Sequence, residues 1–555
     1  MEKRRYAIGV DFGTLSARAV LADVEDGSIV ASVQQEYARG VLDAALPDGT
    51  PLPENWALFD PEDYWQVLCQ LLSEMAEKID PAQIVGIGID CTSSTTLPTD
   101  AQGTPLCRKP GFEHCPHAFG MMWKHHGAVE QAERMTRLAQ ERREAFLSLY
   151  GGAVNAEWVL PKLLQIFEEA PEVYAAAAHE LEAMDWLNWR LTGRLNRSAM
   201  GLGYKAFYQN GSFPAEAYFA ALHPGFASVC RDKLSGPVFL PGECVGGLTE
   251  EKARMLGLLP GTAVAAGSID AHAGVPAAGI TQPGTLLSMI GTSTCHIVAG
   301  EKPLPLPGVS GVVTDGVLPG MAWYEAGQSC VGDSFAWFVR QCVPEAVSRE
   351  AGERRIPLQA LLTEKAARLH PGESGLLALD WWNGNRSVLA NAQLSGVILG
   401  LTLKTRTEEI YRALLESTAY GAREIIDGYR NGGVPIDEVR VSGGIALKNP
   451  LAMQIYADVL QLPLSVTEAA QGPALGSAIY GAAAAGVYDS VQIAAEKMGS
   501  GCAAVYRPVE ANVRVYEALH QEYHRLHDYF GRGGNDVMPR LREIAGQALQ
   551  TRRPL

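Results

Sequence analysis

The stretch YAIGVDFGTLSARAVLADV, residues 6–24, decides the fold. Two apolar, β-rich runs flank a short turn that contains Gly13, and a single aspartate, Asp11, stands near the end of the first run. A glycine that permits a tight turn between two such runs predicts a β-hairpin. Phosphate loops of the Walker and Rossmann types are excluded, because in both of those the glycine turn leads into a helix.

The second half of the chain repeats this plan in GTLLSMIGTSTCHIVAG, residues 284–300, where Gly291, Thr292 and Ser293 form the turn. Self-similarity at half the chain length predicts a duplicated domain. Taken alone, the first stretch is equally compatible with a plain hairpin that binds nothing. Two facing glycine hairpins can direct backbone N–H groups and hydroxyls at one polyphosphate, so the repetition favours a phosphate clamp.

The bulk properties exclude several classes of partner. At 555 residues the chain is too long for a single core, so at least two domains are expected. Its formal net charge of −16 argues against nucleic acids and anionic membranes, because both require basic patches. The apolar runs are too short for a transmembrane helix or a signal peptide. Ten cysteines without a CxxC pair indicate reduced thiols in a cytoplasmic protein.

One aspartate stands out in AVAAGSIDAHAGVPAAGI, residues 263–280, where Asp270 is the single charged residue among small apolar ones. Burying an unpaired carboxylate costs several kcal/mol, so a structural or functional role is expected for this residue. It either caps the helix that follows, through backbone N–H groups, or it acts as a general base for a hydroxyl group at the hinge between the two halves. The sequence favours the general base.

Several other segments carry polar groups suited to a pocket. Ser93 and Ser94 lie in a hydroxyl run after a buried strand, where such residues are either solvated turn residues or line a pocket at the strand's carboxyl end. Trp123 offers an apolar plate beside polar groups, which suits a sugar. Lys205 is predicted in a Ser/Gly-rich loop, as a surface charge or as a group that projects into a cleft. Glu325 follows an aromatic pair.

Histidines concentrate in EHCPHAFGMMWKHH, residues 113–126, together with Cys115. This concentration suggests a zinc site. The spacing matches no standard zinc finger, and no second ligand pair with suitable spacing follows, so the sequence disfavours a metal here.

The paired glycine hairpins resemble those of the actin-like ATPase superfamily, and the whole set of motifs resembles the FGGY family of carbohydrate kinases over nearly the full length. The resemblance rests on DFGTLSARAVL, PHAFGMMWKHH, GYKAFY, GSIDAHAG, IGTSTCHIV, AGQSCVGDSFAWF, SGGIALKNP and EYHRLHDYFG. It implies an α/β fold with two actin-like (ribonuclease H-like) ATPase domains and an interdomain active-site cleft. Residues 1–280 would bind the sugar and carry the first phosphate loop, and residues 281–555 would bind the nucleotide and carry the second.

The resemblance also implies an activity. The stretches PHAFGMMWKHH, GTSTCH and GYKAFY are similar to the branch of the family that transfers the γ-phosphoryl group of ATP to O5 of L-ribulose, giving L-ribulose 5-phosphate in arabinose breakdown. ATP, Mg²⁺ and the small sugar are then the expected ligands. The resemblance is compatible with a homodimer.

Residue roles carry over from the family position by position. Asp270 is implied as the general base and Asp11 as the metal-side carboxylate. The implied sugar contacts are Ser93, Ser94, Trp123, Lys205, Asp270 and Glu325. The implied nucleotide and phosphate contacts are Gly13, Thr14, Arg18, Gly291, Thr292, Ser293, Gly332, Gly443, Gly444, Lys448 and Asn449. Relatives of the glycerol-kinase type place an asparagine where Lys448 stands here, so either Lys448 or Asn449 would meet the adenine.

Two other classes of function compete with this prediction. The nearer alternative is another kinase of the same family, acting on D-ribulose, xylulose or a pentitol, because pocket shape decides such differences. The other is an ATP-driven conformational switch on the same scaffold, since fold does not fix function. A switch has no need of Trp123, Lys205 and Glu325 near the γ-phosphate. A sensor that binds sugar without turnover would need neither both hairpins nor Asp270.

Overall fold

The computed structural model describes residues 4–550. Its strands are β1 (Tyr6–Phe12), β2 (Ser16–Asp23), β3 (Ile29–Glu36), β4 (Leu58–Phe59), β5 (Ile84–Cys91), β6 (Thr96–Thr99), β7 (Gly120–Met121), β8 (His179–Glu182), β9 (Arg197–Ser198), β10 (Val238–Phe239), β11 (Cys244–Gly247), β12 (Ala263–Ala265), β13 (Ser268–Ile269), β14 (Gly284–Ile290), β15 (Thr294–Gly300), β16 (Gly311–Thr314), β17 (Ala322–Gln328), β18 (Leu377–Leu379), β19 (Val397–Leu399), β20 (Ile436–Ser442), β21 (Leu464–Thr467) and β22 (Cys502–Tyr506).

The helices are α1 (Pro61–Lys78), α2 (Val129–Arg142), α3 (Val159–Glu169), α4 (Pro171–Ala176), α5 (Ala183–Thr192), α6 (Ala199–Ala206), α7 (Glu216–Leu222), α8 (Val229–Lys233), α9 (Glu250–Leu256), α10 (Asp270–Ala277), α11 (Gly332–Gln341), α12 (Glu345–Arg354), α13 (Leu358–Ala366), α14 (Thr407–Asn431), α15 (Gly444–Lys448), α16 (Pro450–Leu460), α17 (Gly472–Ala484), α18 (Val491–Met498), α19 (Glu510–Gly531) and α20 (Val537–Gln550). Within the described range, no helix combines the length and the apolar character needed to cross a membrane. All ten cysteines are unpaired.

Two seven-stranded sheets repeat one arrangement. The first runs β11-β12-β5-β1-β2-β3, with β13 beside β5, and the second runs β16-β17-β15-β14-β20-β21-β22. In each sheet the opening strand of the half, β1 or β14, pairs antiparallel with its hairpin partner and parallel with a later strand. The structure therefore confirms both predicted hairpins and their repetition. It also places both turns at the carboxyl ends of parallel strands, where α/β proteins bind ligands.

Helix α17 comes from the second half of the sequence but packs on the first sheet. Glycines on β1 and β5 make this approach possible. A Cβ atom on Gly9 would lie 1.8 Å from the carbonyl oxygen of Ala474, and one on Gly88 would lie 1.9 Å from that of Ser477. Since real Cβ atoms do not come so close, only glycine fits these strand positions. The helix closes one face of the first sheet.

The predicted loop around Lys205 is wrong, because this residue lies in the last turn of helix α6. The glycines that suggested a loop instead serve packing. A Cβ atom on Gly203 would lie 2.5 Å from Cγ1 of Val313 in β16, so the glycine lets the helix lie close against the second sheet. Ser198 starts the helix by accepting a hydrogen bond from the Gly201 N–H at its Oγ atom.

Candidate active site

The first hairpin turn, residues 13–15, is closed by a hydrogen bond of 3.0 Å from the Gly13 N–H to the carbonyl oxygen of Ser16. The hydroxyl group of Tyr37 donates to the carbonyl oxygen of Gly13 over 2.9 Å. Gly13 does not adopt a positive φ angle, and a Cβ atom on it would lie 3.3 Å from the carbonyl oxygen of Ser16. Arg18 lies opposite Asp11 in the β1–β2 register, and its Nε atom is 3.5 Å from Asp11 Oδ2.

A second carboxylate, which the sequence analysis missed, lies beside Asp11. The parallel register of β1 and β5 pairs Asp11 with Asp90, which is fully buried. Asp90 Oδ2 accepts a 2.6 Å hydrogen bond from the hydroxyl group of Ser477 in α17, while Oδ1 has no hydrogen-bond partner among residues 4–550. Burial, with the neighbouring carboxylate of Asp11, raises the pKa of Asp90 well above its usual range. The signal was available, since Asp90 is a lone acid in the apolar run IVGIGID.

The second hairpin turn, residues 291–293, is held by the start of helix α11. The Gly332 N–H donates to the carbonyl oxygen of Gly291 over 3.0 Å, and the Val331 N–H donates to that of Thr292 over 2.9 Å. A Cβ atom on Gly332 would lie 2.6 Å from the Gly291 oxygen. The structure thus brings Gly332 against Gly291 and Val331 against Thr292.

The glycine pair that follows β20 joins the same cluster. Gly443 has a φ angle of 109°, and a Cβ atom on it would lie 2.3 Å from the carbonyl oxygen of Ile290, the last residue of β14. Both constraints require glycine at this position. A Cβ atom on Gly444 would meet nothing within 4 Å, so the backbone there is open to a ligand.

The two candidates for the adenine contact differ in their surroundings. Lys448 is exposed at the end of α15. Asn449 is buried, and its Oδ1 atom accepts a 3.0 Å hydrogen bond from the Ala452 N–H, which caps helix α16. The amide oxygen of Asn449 is therefore committed to the helix, and the side chain of Lys448 is free to reach a ligand.

A buried ion pair spans the two halves of the chain. Lys205 Nζ in α6 lies 2.9 Å from Glu325 Oε2 in β17, with side-chain exposures of only 5% and 8%. His272 Nε2 in α10 lies 3.6 Å from the same oxygen. Burial alone would raise the pKa of Glu325, but Lys205 and His272 lower it below its usual value. A buried ion pair persists only where its partners are well placed, so this one is a fixed polar element between the halves.

The indole of Trp123 connects this region with the first hairpin, because its Nε1 atom donates to Thr14 Oγ1 over 3.1 Å. Ser94 lies in a buried turn with a φ angle of 54°, which is rare for a non-glycine residue. Its carbonyl oxygen accepts a 2.6 Å hydrogen bond from Lys162 Nζ, while its hydroxyl group has no hydrogen-bond partner in the described part of the chain. Ser93 beside it is partly exposed. Strained residues of this kind cluster at ligand sites.

Asp270 is the first residue of helix α10, and its Oδ1 atom accepts a 2.7 Å hydrogen bond from the Ala271 N–H. The helix-capping interpretation is thus partly met, although the cap position itself is Ile269. Burial and the Asp11 carboxylate raise the pKa of Asp270 to about 7. A carboxylate with such a pKa takes up a proton near neutral pH, which suits a general base.

Arg386 and Glu157 were also missed, because the sequence gives no local signal for either of them. Arg386 lies in the loop-rich segment between β18 and β19, and its Nη2 atom is 3.7 Å from Glu157 Oε1 in the first half. His126 Nε2 lies 3.0 Å from the same oxygen. Although burial alone would raise the pKa of Glu157, Arg386 and His126 lower it to about 2. These groups form a second charged contact between the halves.

The other histidines of residues 113–126 lie beside separate partners. His114 pairs with Asp48, His117 Nε2 is 3.0 Å from Glu169 Oε2, and His125 Nε2 is 3.0 Å from Gln165 Oε1. Burial lowers the pKa of His125 to about 3, so this ring is neutral. Each ring thus serves a local hydrogen bond or ion pair.

Comparison with known proteins places this chain in a family. The model of the N-terminal domain of the FGGY family of carbohydrate kinases matches residues 6–276, and the model of the C-terminal domain matches residues 286–485. The chain belongs to the FGGY family and is a carbohydrate kinase.

Curated relatives cover nearly the whole chain. A ribulokinase of Bacillus licheniformis is 49% identical over 538 residues, which is 96% of this chain and 97% of the relative. A ribulokinase of Mycolicibacterium smegmatis is 47% identical over 549 residues, which is 98% of this chain and 97% of the relative.

Solved structures confirm the predicted two-domain α/β kinase fold. A xylulose kinase from Rhodospirillum rubrum superposes with a TM-score of 0.76 at 24% identity, covering 94% of this chain and 98% of the other. A glycerol kinase of Plasmodium falciparum, solved with ADP, gives a TM-score of 0.73 at 17% identity, with the same coverage.

Proposed function

We propose that this chain phosphorylates L-ribulose at O5 with ATP, giving L-ribulose 5-phosphate for arabinose breakdown. The observation that carries the proposal is the hydrogen bond between Trp123 and Thr14. It joins a side chain suited to stacking on a sugar to the hairpin suited to holding phosphate. The choice of L-ribulose as the sugar rests on the relatives named ribulokinase that are 46–49% identical over nearly the full length.

The two hairpins are the proposed phosphate clamp. Backbone N–H groups and hydroxyls of Gly13 and Thr14 on one side, and of Gly291, Thr292 and Ser293 on the other, would hold the triphosphate. Gly332, Gly443 and Gly444 would bound the nucleotide, with Lys448 nearest the base and Arg18 near the phosphates. The close packing of Gly332 and Gly443 on the second hairpin supports this grouping.

Asp11 is the proposed metal-side residue, and the local groups fit a magnesium ion. Asp11 is a carboxylate at the edge of the buried site, and Asp90 has an oxygen with no hydrogen-bond partner among the described residues. Oxygen ligands are those that Mg²⁺ prefers. A magnesium ion held there would supply charge neutralisation for the triphosphate. On the β2 side, Arg18 Nε lies 3.5 Å from Asp11 Oδ2.

Asp270 is the proposed general base. Its pKa of about 7 lets it accept the O5 proton as the new P–O bond forms. Lys205, Glu325 and Trp123, with Ser93 and Ser94, would orient the sugar so that O5 lies in line with the γ-phosphorus. Phosphoryl transfer depends mainly on this positioning and on charge stabilisation.

Closure of the two halves is proposed to exclude water, so that the sugar is the attacking group. The division into two domains near residue 280 is part of this proposal. The described strands support it, because no strand before residue 270 pairs with one after residue 283. Gly279 and Gly284, with φ angles of 66° and 100°, flank the segment that would bend.

The test is a coupled assay of ADP formation with a panel of free sugars and a control without sugar. We expect L-ribulose to give by far the highest kcat/KM. A clear preference for D-ribulose or xylulose would keep the kinase chemistry and overturn the assignment of the sugar. ATP turnover indifferent to every sugar would overturn the kinase proposal in favour of an ATP-driven switch.

A further inference from the structure

A cluster of metal-ligating side chains lies between helices α14 and α19, apart from the proposed sugar and nucleotide residues. One potential ligand atom from each of Glu424, His524 and His527 lies within 4.8 Å of the others. Glu424 belongs to α14, and the two histidines belong to α19. The histidines are three positions apart, so the helix presents both rings on one face.

The hydrogen-bond environment of His527 suits a metal ligand. His527 Nδ1 lies 3.1 Å from Asp528 Oδ1, a carboxylate oxygen that can only accept, so Nδ1 carries the hydrogen. In the neutral ring, the other nitrogen, Nε2, has a lone pair available to a metal ion. This atom is buried, with the side chain only 1% exposed, and has no hydrogen-bond partner among the described residues. A carboxylate on the far nitrogen is the usual support for a metal-ligating histidine.

The side chains of His524, His520 and Glu424 form the rest of the cluster. His524 Nδ1 lies 3.0 Å from Glu424 Oε1, and His524 is half-exposed, which leaves an entry path from solvent. His520, one turn earlier on α19, places its Nε2 atom 3.1 Å from the same oxygen. Glu424, with a side-chain exposure of 9%, is therefore contacted by two histidines of α19.

We infer that Glu424, His524 and His527 bind one divalent transition-metal ion of the zinc class, with water in the remaining position. Two imidazoles and one carboxylate suit zinc better than magnesium or calcium, which prefer all-oxygen sites. The ion would fasten helix α19 to helix α14. It is distinct from the magnesium ion of the proposed phosphoryl transfer, and it does not depend on the identity of the sugar.

The test uses the full-length chain without a histidine tag, stripped of metal by a chelator and then freed of the chelator. Zinc is titrated by calorimetry, and Tm is measured with and without excess zinc. We expect binding of one equivalent and a rise in Tm, because an ion that binds only the folded state stabilises it. His524→Ala and Glu424→Gln should each weaken binding at least about tenfold.

The matched control is His114→Ala, which removes an exposed histidine that is also paired with a carboxylate. This variant should bind zinc like the unchanged protein. Cobalt(II) gives a second readout, because thiolate ligation would produce an intense charge-transfer band that a site of nitrogen and oxygen ligands lacks. Three results would overturn the inference. They are the absence of stoichiometric binding, full retention of zinc binding by both cluster variants, and a cobalt charge-transfer band from thiolate that persists in both variants.

Discussion

Trp123 Nε1 donates a hydrogen bond of 3.1 Å to Thr14 Oγ1, which fastens an aromatic side chain of the proposed sugar pocket to the first phosphate hairpin. Replacement Thr14→Val keeps the shape of the side chain and removes the acceptor. Because a neutral hydrogen bond contributes about 1 kcal/mol, we expect kcat/KM to fall about fivefold for both sugar and ATP. Steady-state kinetics with each substrate varied in turn measures this.

The matched control is Thr402→Val, at an exposed loop position, which should leave both constants unchanged. A double-mutant cycle with Trp123→Phe gives the decisive comparison. If the two residues act through their hydrogen bond, the effects will be far from additive. Additive effects would mean that the two side chains act separately.

The pH dependence of turnover should report Asp270. Its pKa is raised to about 7, so the carboxyl group holds its proton to higher pH than an ordinary aspartate. The base form is therefore lost as pH falls below about 7, and kcat/KM should drop about tenfold per pH unit there. Asp270→Asn should lower kcat by about 10²–10⁴-fold and abolish this acidic limb.

ATP affinity of Asp270→Asn should stay close to that of the unchanged protein, since the proposed nucleotide contacts lie elsewhere. Asp489→Asn, at an exposed position, serves as the control and should retain the full pH profile. Near-normal turnover by Asp270→Asn would show that another group accepts the proton.

The buried pair of Lys205 and Glu325 should matter for stability as well as activity. Lys205→Met leaves the Glu325 carboxylate buried without its main partner, which typically costs about 3–5 kcal/mol. We expect a clear loss of Tm together with loss of turnover. Adding Glu325→Gln to Lys205→Met removes the unpaired charge, so Tm should recover while turnover does not. Calorimetry and the sugar assay separate the two effects.

The control for this pair is Arg349→Met, which breaks an exposed ion pair with Glu345 and should leave Tm unchanged. Equal effects of the buried and exposed substitutions would contradict the assigned role of Lys205.

Two glycine substitutions should have opposite effects on stability, one beneath helix α17 and one at an open position of helix α12. Gly88→Ala would place a Cβ atom 1.9 Å from the carbonyl oxygen of Ser477, so backbone must move, and the loss should exceed the about 1–3 kcal/mol of ordinary overpacking. Gly352→Ala, in helix α12, meets nothing within 4 Å and should stabilise by about 0.5–1 kcal/mol. Thermal unfolding of both variants tests this, and a Gly88→Ala protein with unchanged Tm would refute the close packing.

The sequence predicted the fold well because the decisive features are local. A hairpin is specified by a few neighbouring residues, and its repetition half a chain later specified the duplication. Asp270 was chosen as the candidate base because a lone acid among small apolar residues is conspicuous, and its role stays a prediction. Asp90 is also a lone acid in an apolar run. Because it lies at the end of a predicted strand, it was interpreted as an ordinary strand residue and was not chosen as a site residue.

Other parts could not be predicted, because they depend on distant contacts. Arg386 meets Glu157 only once two segments far apart in the chain have folded together. Helix α6 was mistaken for a loop because Gly203 lowers helix propensity. That glycine is tolerated because it packs against Val313, a contact that no local pattern reveals.

The glycines of β1 and β5 that receive helix α17 also bear on how the chain is made. A ribosome finishes the strands of the first sheet long before it reaches residues 472–484. Until then, a groove shaped for a helix backbone stays uncovered on the nascent chain. The N-terminal half therefore cannot complete its core during synthesis, and its expression alone should give an aggregation-prone product that a separately supplied C-terminal half rescues.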